Sequence, residues 1–383
     1  MLVTANLVRT KERSMAIVAT LGIMVVGFLS AWLLTPVVIR LCLARGWVVM
    51  PGGRRTHQGA MPTIGGIAIY AAFVVALLVS WVVGRWIPEL QRTPRDELRL
   101  VLLFVGATLT FVVMWIDDVI ELPWLPKFGV NILAGVIAVG PFLWDQQRYP
   151  DALGSLTEVR GIVLLGFNIP FGQYLDFYAI SPWLAMIVTI FWLGWMTNTV
   201  NWMDGVDGLA AGVSVIAGVM LGLHALRLDP AQYTVAMVPL ALAGAAAGFL
   251  IFNFPPAKVF MGDSGAELLG FVLGISAIIG GAKMATVMLV LGVWILDVAW
   301  LIVARVWAGR SPTHSGRDHL HQRLTDAGFA PRHIALYFYA ISLVFGILGI
   351  ADIGATGKLW ALLLLLVVGV VTIGYAMRIP KKI

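Results

Sequence analysis

From residue 182 to residue 226 the chain reads PWLAMIVTIFWLGWMTNTVNWMDGVDGLAAGVSVIAGVMLGLHAL. Its two apolar runs, 182–200 and 208–226, are each long enough to cross a bilayer core of about 30 Å as a helix. At their junction stand two amides and two carboxylates, Asn198, Asn201, Asp204 and Asp207, with Gly205 and Gly208 behind the acids. Polar and ionisable groups at a membrane boundary are costly, and for that reason usually functional. Asp204 and Asp207 are three apart, so they share a face on a starting helix. Carboxylates and amides with little basic charge nearby suit Mg²⁺, which takes oxygen ligands and usually keeps some waters and substrate phosphates.

The rest of the chain repeats the apolar pattern. It has 383 residues, 60% of them hydrophobic and 12% charged, a composition that excludes a soluble domain of this size. The one cysteine, Cys42, excludes an intrachain disulfide. The net charge of +6 fits juxtamembrane basic residues better than a nucleic-acid surface. Arg9, Lys11 and Arg13 before the run from Met15 have the look of a signal peptide, but the run continues to about Leu43 and reads as a first span. Eleven apolar runs emerge, roughly 15–40, 64–84, 98–116, 128–144, 182–200, 208–226, 234–252, 266–281, 284–306, 334–352 and 358–377. The expectation is an all-α polytopic membrane protein of about ten or eleven transmembrane helices, a single domain over 1–383. The stretch 145–181 is mixed, and Gly161–Leu165 with Gln173–Tyr178, separated by Pro170 and Gly172, reads as a short hairpin outside the bilayer.

The polar clusters all follow odd-numbered spans. Asp117-Asp118 follows the third, Asn198–Asp207 the fifth, Asn253–Asp263 the seventh, and the histidine-bearing loop 311–333 the ninth. They are therefore expected on one side, at one site. That side carries 14 Lys/Arg against 12 on the other, which leans toward the cytoplasm by the positive-inside rule, although Arg9, Lys11 and Arg13 argue the other way.

Each cluster has a chemical reading beside a bland one. An adjacent acid pair is unfavourable at a helix C-terminus, so Asp117-Asp118 points to metal or phosphate chemistry rather than an ordinary hydrated helix end. Lys127 would supply a compact charge for a phosphate, though a boundary lysine is often just an anchor. Asp263 opens the eighth span between Gly262 and Gly265, and Phe260 could stack on a base or simply sit at the interface. His319 and His321 have no cysteine and no third spaced histidine for zinc; with Arg317 and Arg323 they better fit pyrophosphate. Arg54, Arg55 and His57 form a second basic loop, and Asp297, eight residues before Arg305, lies inside the ninth span. An intramembrane carboxylate also admits an ion-coupled transporter, but transporter sites lie near the midplane and these acids are at helix ends.

Five motifs in order, from about residue 45 to 330, resemble the polyprenyl-phosphate N-acetylhexosamine-1-phosphate transferases, glycosyltransferase family 4. They are His57…Gly65-Gly66, Asp117-Asp118…Lys127, Asn198…Asn201…Asp204-Gly-Val-Asp207-Gly-Leu-Ala, Phe260-Met-Gly-Asp263-Ser-Gly, and Asp318-His-Leu-His-Gln-Arg-Leu. The resemblance implies a catalytic acid pair in Asp117 and Asp118, with Asp263 beside them. It implies Mg²⁺, with Mn²⁺ as an alternative, held by Asp263, Asn201 and Asp118. It places Lys127 on phosphate, Phe260 on uracil, and Asn198, Asn201, Asp204, Asp207 and Asn253 around the nucleotide sugar. His57, Arg317, His319, His321 and Arg323 would complete the substrate site. The last loop is similar to the branch that uses UDP-GlcNAc. The implied reaction moves GlcNAc-1-phosphate onto a polyprenyl (undecaprenyl) phosphate in the inner membrane, at the cytoplasmic face, releasing UMP for cell-wall, lipopolysaccharide or teichoic acid synthesis. UDP-MurNAc-pentapeptide is the alternative donor, and a homodimer is one assembly that the sequence leaves open. Three positions depart from the family pattern: Gln322 stands for the last histidine, Ala266 for a serine, and Met50 for an aspartate.

Overall fold

A computed structural model describes residues 2–50, 59–150, 155–168, 174–279, 284–309 and 318–378. Thirteen helices account for most of them. They are α1 (Leu2–Arg45), α2 (Gly66–Val83), α3 (Pro94–Ile120), α4 (Trp124–Val139), α5 (Phe177–Ile180), α6 (Pro182–Met203), α7 (Leu209–Arg227), α8 (Tyr233–Asn253), α9 (Gly262–Ile278), α10 (Met284–Trp307), α11 (Leu320–Asp326), α12 (Pro331–Ile350) and α13 (Gly354–Arg378). Ten of the described helices are long and apolar enough to cross a membrane. The eighth expected run becomes α9, only 17 residues long, and every residue from Ser264 to Ile278 is buried. At 1.5 Å per residue it rises about 25 Å. This is an integral membrane protein of the expected all-α class.

Helix α9 forms the axis of the bundle and packs against α2, α3, α6, α7, α8 and α10. Close contact comes from missing side chains, because lipid tails offer no hydrophobic drive between helices. A Cβ on Gly270 of α9 would collide with the α6 backbone at Met196 and Thr197. On the outside, Gly244 and Gly248 of α8 lie directly on the α1 backbone at Met24 and Phe28. Helices α12 and α13 close the other flank against α7 and α10.

The strands are short. β1 (Val48–Val49) pairs antiparallel with β2 (Met61–Pro62), bracketing the basic loop that carries Arg54, Arg55 and His57. That loop's residues 51–58 lie outside the described residues. β3 (Tyr149–Pro150) pairs with β4 (Leu156–Glu158), and β5 (Gly166–Asn168) with β6 (Tyr174–Asp176). The region 145–181 thus holds two hairpins where the sequence suggests one. The first strand of the expected hairpin is Gly166–Asn168 rather than 161–165, because the chain over 162–164 is packed inward, with Ile162, Val163 and Leu164 buried. Arg95 and Arg99, at the start of α3, reach Glu158 of β4 at 3.2 and 2.7 Å. The hairpins therefore sit at the end of the bundle opposite Asp117-Asp118.

Candidate active site

The acid pair that ends α3 is stabilised by its neighbours rather than by its own helix. Both oxygens of Asp118 accept hydrogen bonds from the start of α9. Oδ1 takes the Asp263 N–H at 2.7 Å, and Oδ2 takes the Ser264 N–H at 3.2 Å and the Ser264 hydroxyl at 2.6 Å. A carboxylate misplaced at the negative end of α3 thereby caps the positive end of α9. Gly262 makes the approach possible: its φ is +71°, and a Cβ there would strike Asp118 Oδ2. Asp117 closes its own helix, Oδ1 accepting the Leu122 N–H at 2.7 Å.

Lys127 stands in the first turn of α4, where a cation opposes the helix dipole. Its ammonium is held by Asp117 Oδ2 and, at 3.0 Å, by Asp263 Oδ2. One cation thus joins the end of α3 to the beginning of α9.

The turn between α6 and α7 closes the far wall. Asp204, a partly buried carboxyl, caps the end of α6. Burial first, then the charges of Asp263, Asp118 and Asp207, push it up to about 8. Asp207 Oδ2 accepts the Ala257 N–H at 3.0 Å, tying this turn to the loop before α9. Asn253 is almost wholly buried and braces the same loop. It accepts from Gly208 N at 3.0 Å and donates to the Val259 carbonyl at 2.8 Å. Asn198 donates back to Gly194 of its own helix at 2.7 Å. Phe260 is partly buried, with its N–H on Pro62 O at 2.8 Å and its carbonyl on Gly65 N at 2.9 Å. The Gly65-Gly66 pair therefore serves as a bare surface against the segment Phe260–Gly265.

The histidine loop arrives from the other flank. Asp297 of α10 accepts the Leu320 N–H through Oδ1 at 3.2 Å and meets His319 Nδ1 through Oδ2 at 3.2 Å. Its place inside a span is explained by this anchoring of α11, with no ion path required. His319 packs edge-on against Trp202, ring centroids 5.3 Å apart. His321 is fully enclosed beneath Gly205, whose added Cβ would overlap its Nε2, and neither ring nitrogen has a partner. Burial, followed by His319, drives its pKa down to about 3, so it is neutral. In this structure it packs under the turn rather than facing a phosphate. Arg323 donates to the Asp318 carbonyl at 3.0 Å. Arg317 and His57 lie outside the described residues.

The structure thus gathers Asp117, Asp118, Lys127, Asp204, Asp207 and Asp263 from α3, α4, the α6–α7 turn and α9. Asn201 is turned elsewhere: its nitrogen donates to Glu267 Oε1 at 3.0 Å. Among the described residues no three His, Cys, Asp or Glu side chains are grouped so as to hold a metal ion alone. The donor chemistry still suits Mg²⁺. Asp204 and Asp263 are neighbouring carboxylates, and Mg²⁺ commonly takes one or two carboxylates together with water and substrate phosphates. Sequence reasoning missed Glu267 and Asn131, although a glutamate inside an apolar run is itself a signal. It also missed Tyr339, whose hydroxyl donates to the Gly208 carbonyl at 2.6 Å and pins the turn from α12.

Comparison with known proteins agrees with this layout. Residues 100–281, which contain most of α3 and all of α4, α6, α7, α8 and α9, match the model of glycosyl transferase family 4. A phospho-N-acetylmuramoyl-pentapeptide-transferase of Desulforudis audaxviator is 31% identical over 350 residues, 87% of this chain and 97% of the relative. The chain belongs to glycosyl transferase family 4. Two other relatives are both named for N-acetylglucosamine. A decaprenyl-phosphate N-acetylglucosaminephosphotransferase of Mycolicibacterium smegmatis is 30% identical, over 85% of this chain and 79% of its own length. A Bacillus subtilis protein named probable undecaprenyl-phosphate N-acetylglucosaminyl 1-phosphate transferase is 28% identical, over 87% and 84%. This family 4 member is accordingly a membrane-embedded transferase.

Proposed function

We propose that the protein transfers GlcNAc-1-phosphate from UDP-GlcNAc to a polyprenyl phosphate at the cytoplasmic face of the plasma membrane. An oxygen of the lipid phosphate attacks the β-phosphorus of the donor. The bond between that phosphorus and the bridging oxygen breaks, and UMP leaves with the electron pair. The observation that carries this reading is Lys127, suspended between Asp117 and Asp263 at the capped N-terminus of α9. An ammonium at a helix N-terminus suits anionic groups, and phosphoryl transfer depends mainly on positioning and charge neutralisation.

The residues divide the work. Lys127 receives the pyrophosphate beside the first turn of α9. Asp118, with both oxygens engaged by α9, holds that turn in place. Asp117 has one oxygen on Lys127; when the ammonium turns to phosphate, that oxygen is released to accept the proton of the lipid phosphate. Asp263 and Asp204 would hold Mg²⁺, which when bound neutralises the pyrophosphate charge. The lipid tail lies between helices, so only its phosphate enters the polar end of the bundle. The relatives named for N-acetylglucosamine favour UDP-GlcNAc as donor. The phospho-N-acetylmuramoyl-pentapeptide relative keeps UDP-MurNAc-pentapeptide as the second reading.

The test is direct. Purified protein, Mg²⁺ and a polyprenyl phosphate are incubated with each of several UDP-sugars, and UMP is measured. The expected result is UMP from UDP-GlcNAc and dependence on Mg²⁺. Release from the MurNAc-pentapeptide donor alone selects the second reading, and no UMP from any donor rejects the reaction.

A further inference from the structure

Below the reacting groups, toward the bilayer centre, lies a second polar layer. Helix α4 carries Lys127 and Asn131, and helix α9 carries Asp263 and Glu267, each pair four residues apart and so on one face of its helix. The upper rung is the Lys127–Asp263 pair at 3.0 Å. The lower rung is Asn131 beside Glu267. Glu267 is only 2% exposed, in a helix that beyond Asp263 is otherwise apolar apart from small hydroxyls. Its Oε1 accepts the Asn201 Nδ2 from α6 at 3.0 Å. Its Oε2 and the Asn131 Oδ1 are enclosed with no short hydrogen bond among the described residues, and the Asn131 amide is the polar group that stands against the carboxyl from α4.

A buried carboxyl met only by two neutral amides is destabilising, and a leucine of similar volume would suit the surroundings better. Its position on α9 against Asn201 of α6 and Asn131 of α4 points to a task. The Asn201 carboxamide has its nitrogen turned toward Glu267, so its oxygen faces away from that carboxyl. An amide can be held one way round only by a partner that tells nitrogen from oxygen, and Glu267 Oε1 is that partner.

We propose that Glu267 is a positioning residue of the transfer site: it fixes the orientation of the Asn201 carboxamide and the register of α9 against α6, and so sets how Asp263 meets the donor's cation and how Asn201 presents its oxygen to the donor's phosphates. This rests on the phosphosugar-transfer reading above. It adds a residue that touches neither the substrate nor the reacting atoms.

The experiment compares wild type with Glu267→Leu, Glu267→Gln and Asn201→Ala, purified in detergent. Glu267→Leu raises the half-activating Mg²⁺ concentration and the KM for UDP-GlcNAc by about tenfold, the scale of lost support behind a metal ligand, and leaves the polyprenyl-phosphate KM within about twofold. Glu267→Gln, which keeps an acceptor, stays within about threefold of wild type on every constant. Adding Glu267→Leu to Asn201→Ala changes the constants by less than about twofold, because one acts through the other. The same proteins are heated with MgCl₂ and UMP, a readout that needs no turnover: wild type is stabilised, and Glu267→Leu is stabilised less at equal ligand. Wild-type Mg²⁺ dependence and thermal shift in Glu267→Leu overturn the proposal. So do additive effects with Asn201→Ala, or a loss in Glu267→Gln as large as in Glu267→Leu. If wild type releases no UMP, the reaction reading fails, and the thermal shifts still decide the role of Glu267. If Glu267→Leu does not fold, Glu267→Met takes its place under the same criteria.

Discussion

The two ends of the helix bundle handle charge in opposite ways. At the hairpin end, each described acid that faces a cation is matched by one nearby. Arg95 and Arg99 meet Glu158, Arg148 holds Asp176 at 2.6 Å, and Arg160 meets Asp145 at 3.4 Å. Those pairs are partly open to solvent and join neighbouring segments. At the other end Asp117, Asp118, Asp204, Asp207 and Asp263 gather at one site where Lys127 bridges two of them, and three of those acids are tied to backbone N–H groups. A balanced end stabilises the fold. A cluster of acids held by one shared ammonium and by backbone N–H groups is poised for a cation-bearing substrate.

The comparison breaks first at Lys127 and Asp263. Lys127→Ala or Asp263→Asn is expected to abolish UMP release, a fall of at least about a thousandfold in kcat/KM; near-normal turnover in either would remove the site assignment. Asp118→Asn is expected to lose UMP release as well, and also to lower unfolding free energy by about 1–2 kcal/mol, because it uncaps α9. A thermal melt separates that component, which the Lys127 variant lacks. Gly205→Ala drives a methyl group into His321 and is expected to destabilise by about 1–3 kcal/mol. Combining it with His321→Ala gives a protein more stable than the sum of the two single changes, as melts of all four proteins will report.

Acidity gives a smaller and signed effect. The Asp204 carboxyl is raised to about 8 in the folded protein, above its ordinary value. The folded state therefore keeps a proton that the unfolded chain has lost. Asp204 contributes no penalty below about pH 4; its stability contribution falls as pH rises toward 8 and levels off beyond. Melting temperature against pH should show this decline, and Asp204→Asn should flatten it. The smallest effect belongs to the balanced end: Arg148→Ala should cost below about 1 kcal/mol in melts and leave UMP release unchanged. Loss of turnover there would mean that the two ends are not separable.

Much of this was legible in the chain. Apolar runs long enough to span gave the helices to within a few residues, except that α1 begins at Leu2 rather than near 15, and Asp117-Asp118, Asp204, Asp207 and Asp263 stood out because charge is expensive at a membrane boundary. The odd-span placement of the clusters brought them to one face, as the contacts bear out. Partnership was not legible. An acid pair at a helix C-terminus reads as strain, yet Asp118 belongs to the N-terminus of α9, 145 residues along the chain from α3 to Asp263. Asn253 and His321 read as substrate contacts, while in the fold one braces a loop and the other fills the space under Gly205.

The sequence by itself determined the membrane class, the helices, the shared face and the motif residues, because bilayer thickness and the cost of polarity act on local composition. Only the tertiary structure decided which acid caps which helix, which cation is shared, and that Glu267 stands beneath Asn201. Hydrogen bonds of 2.6–3.2 Å depend on how separate helices approach, and no periodicity along one helix encodes that approach.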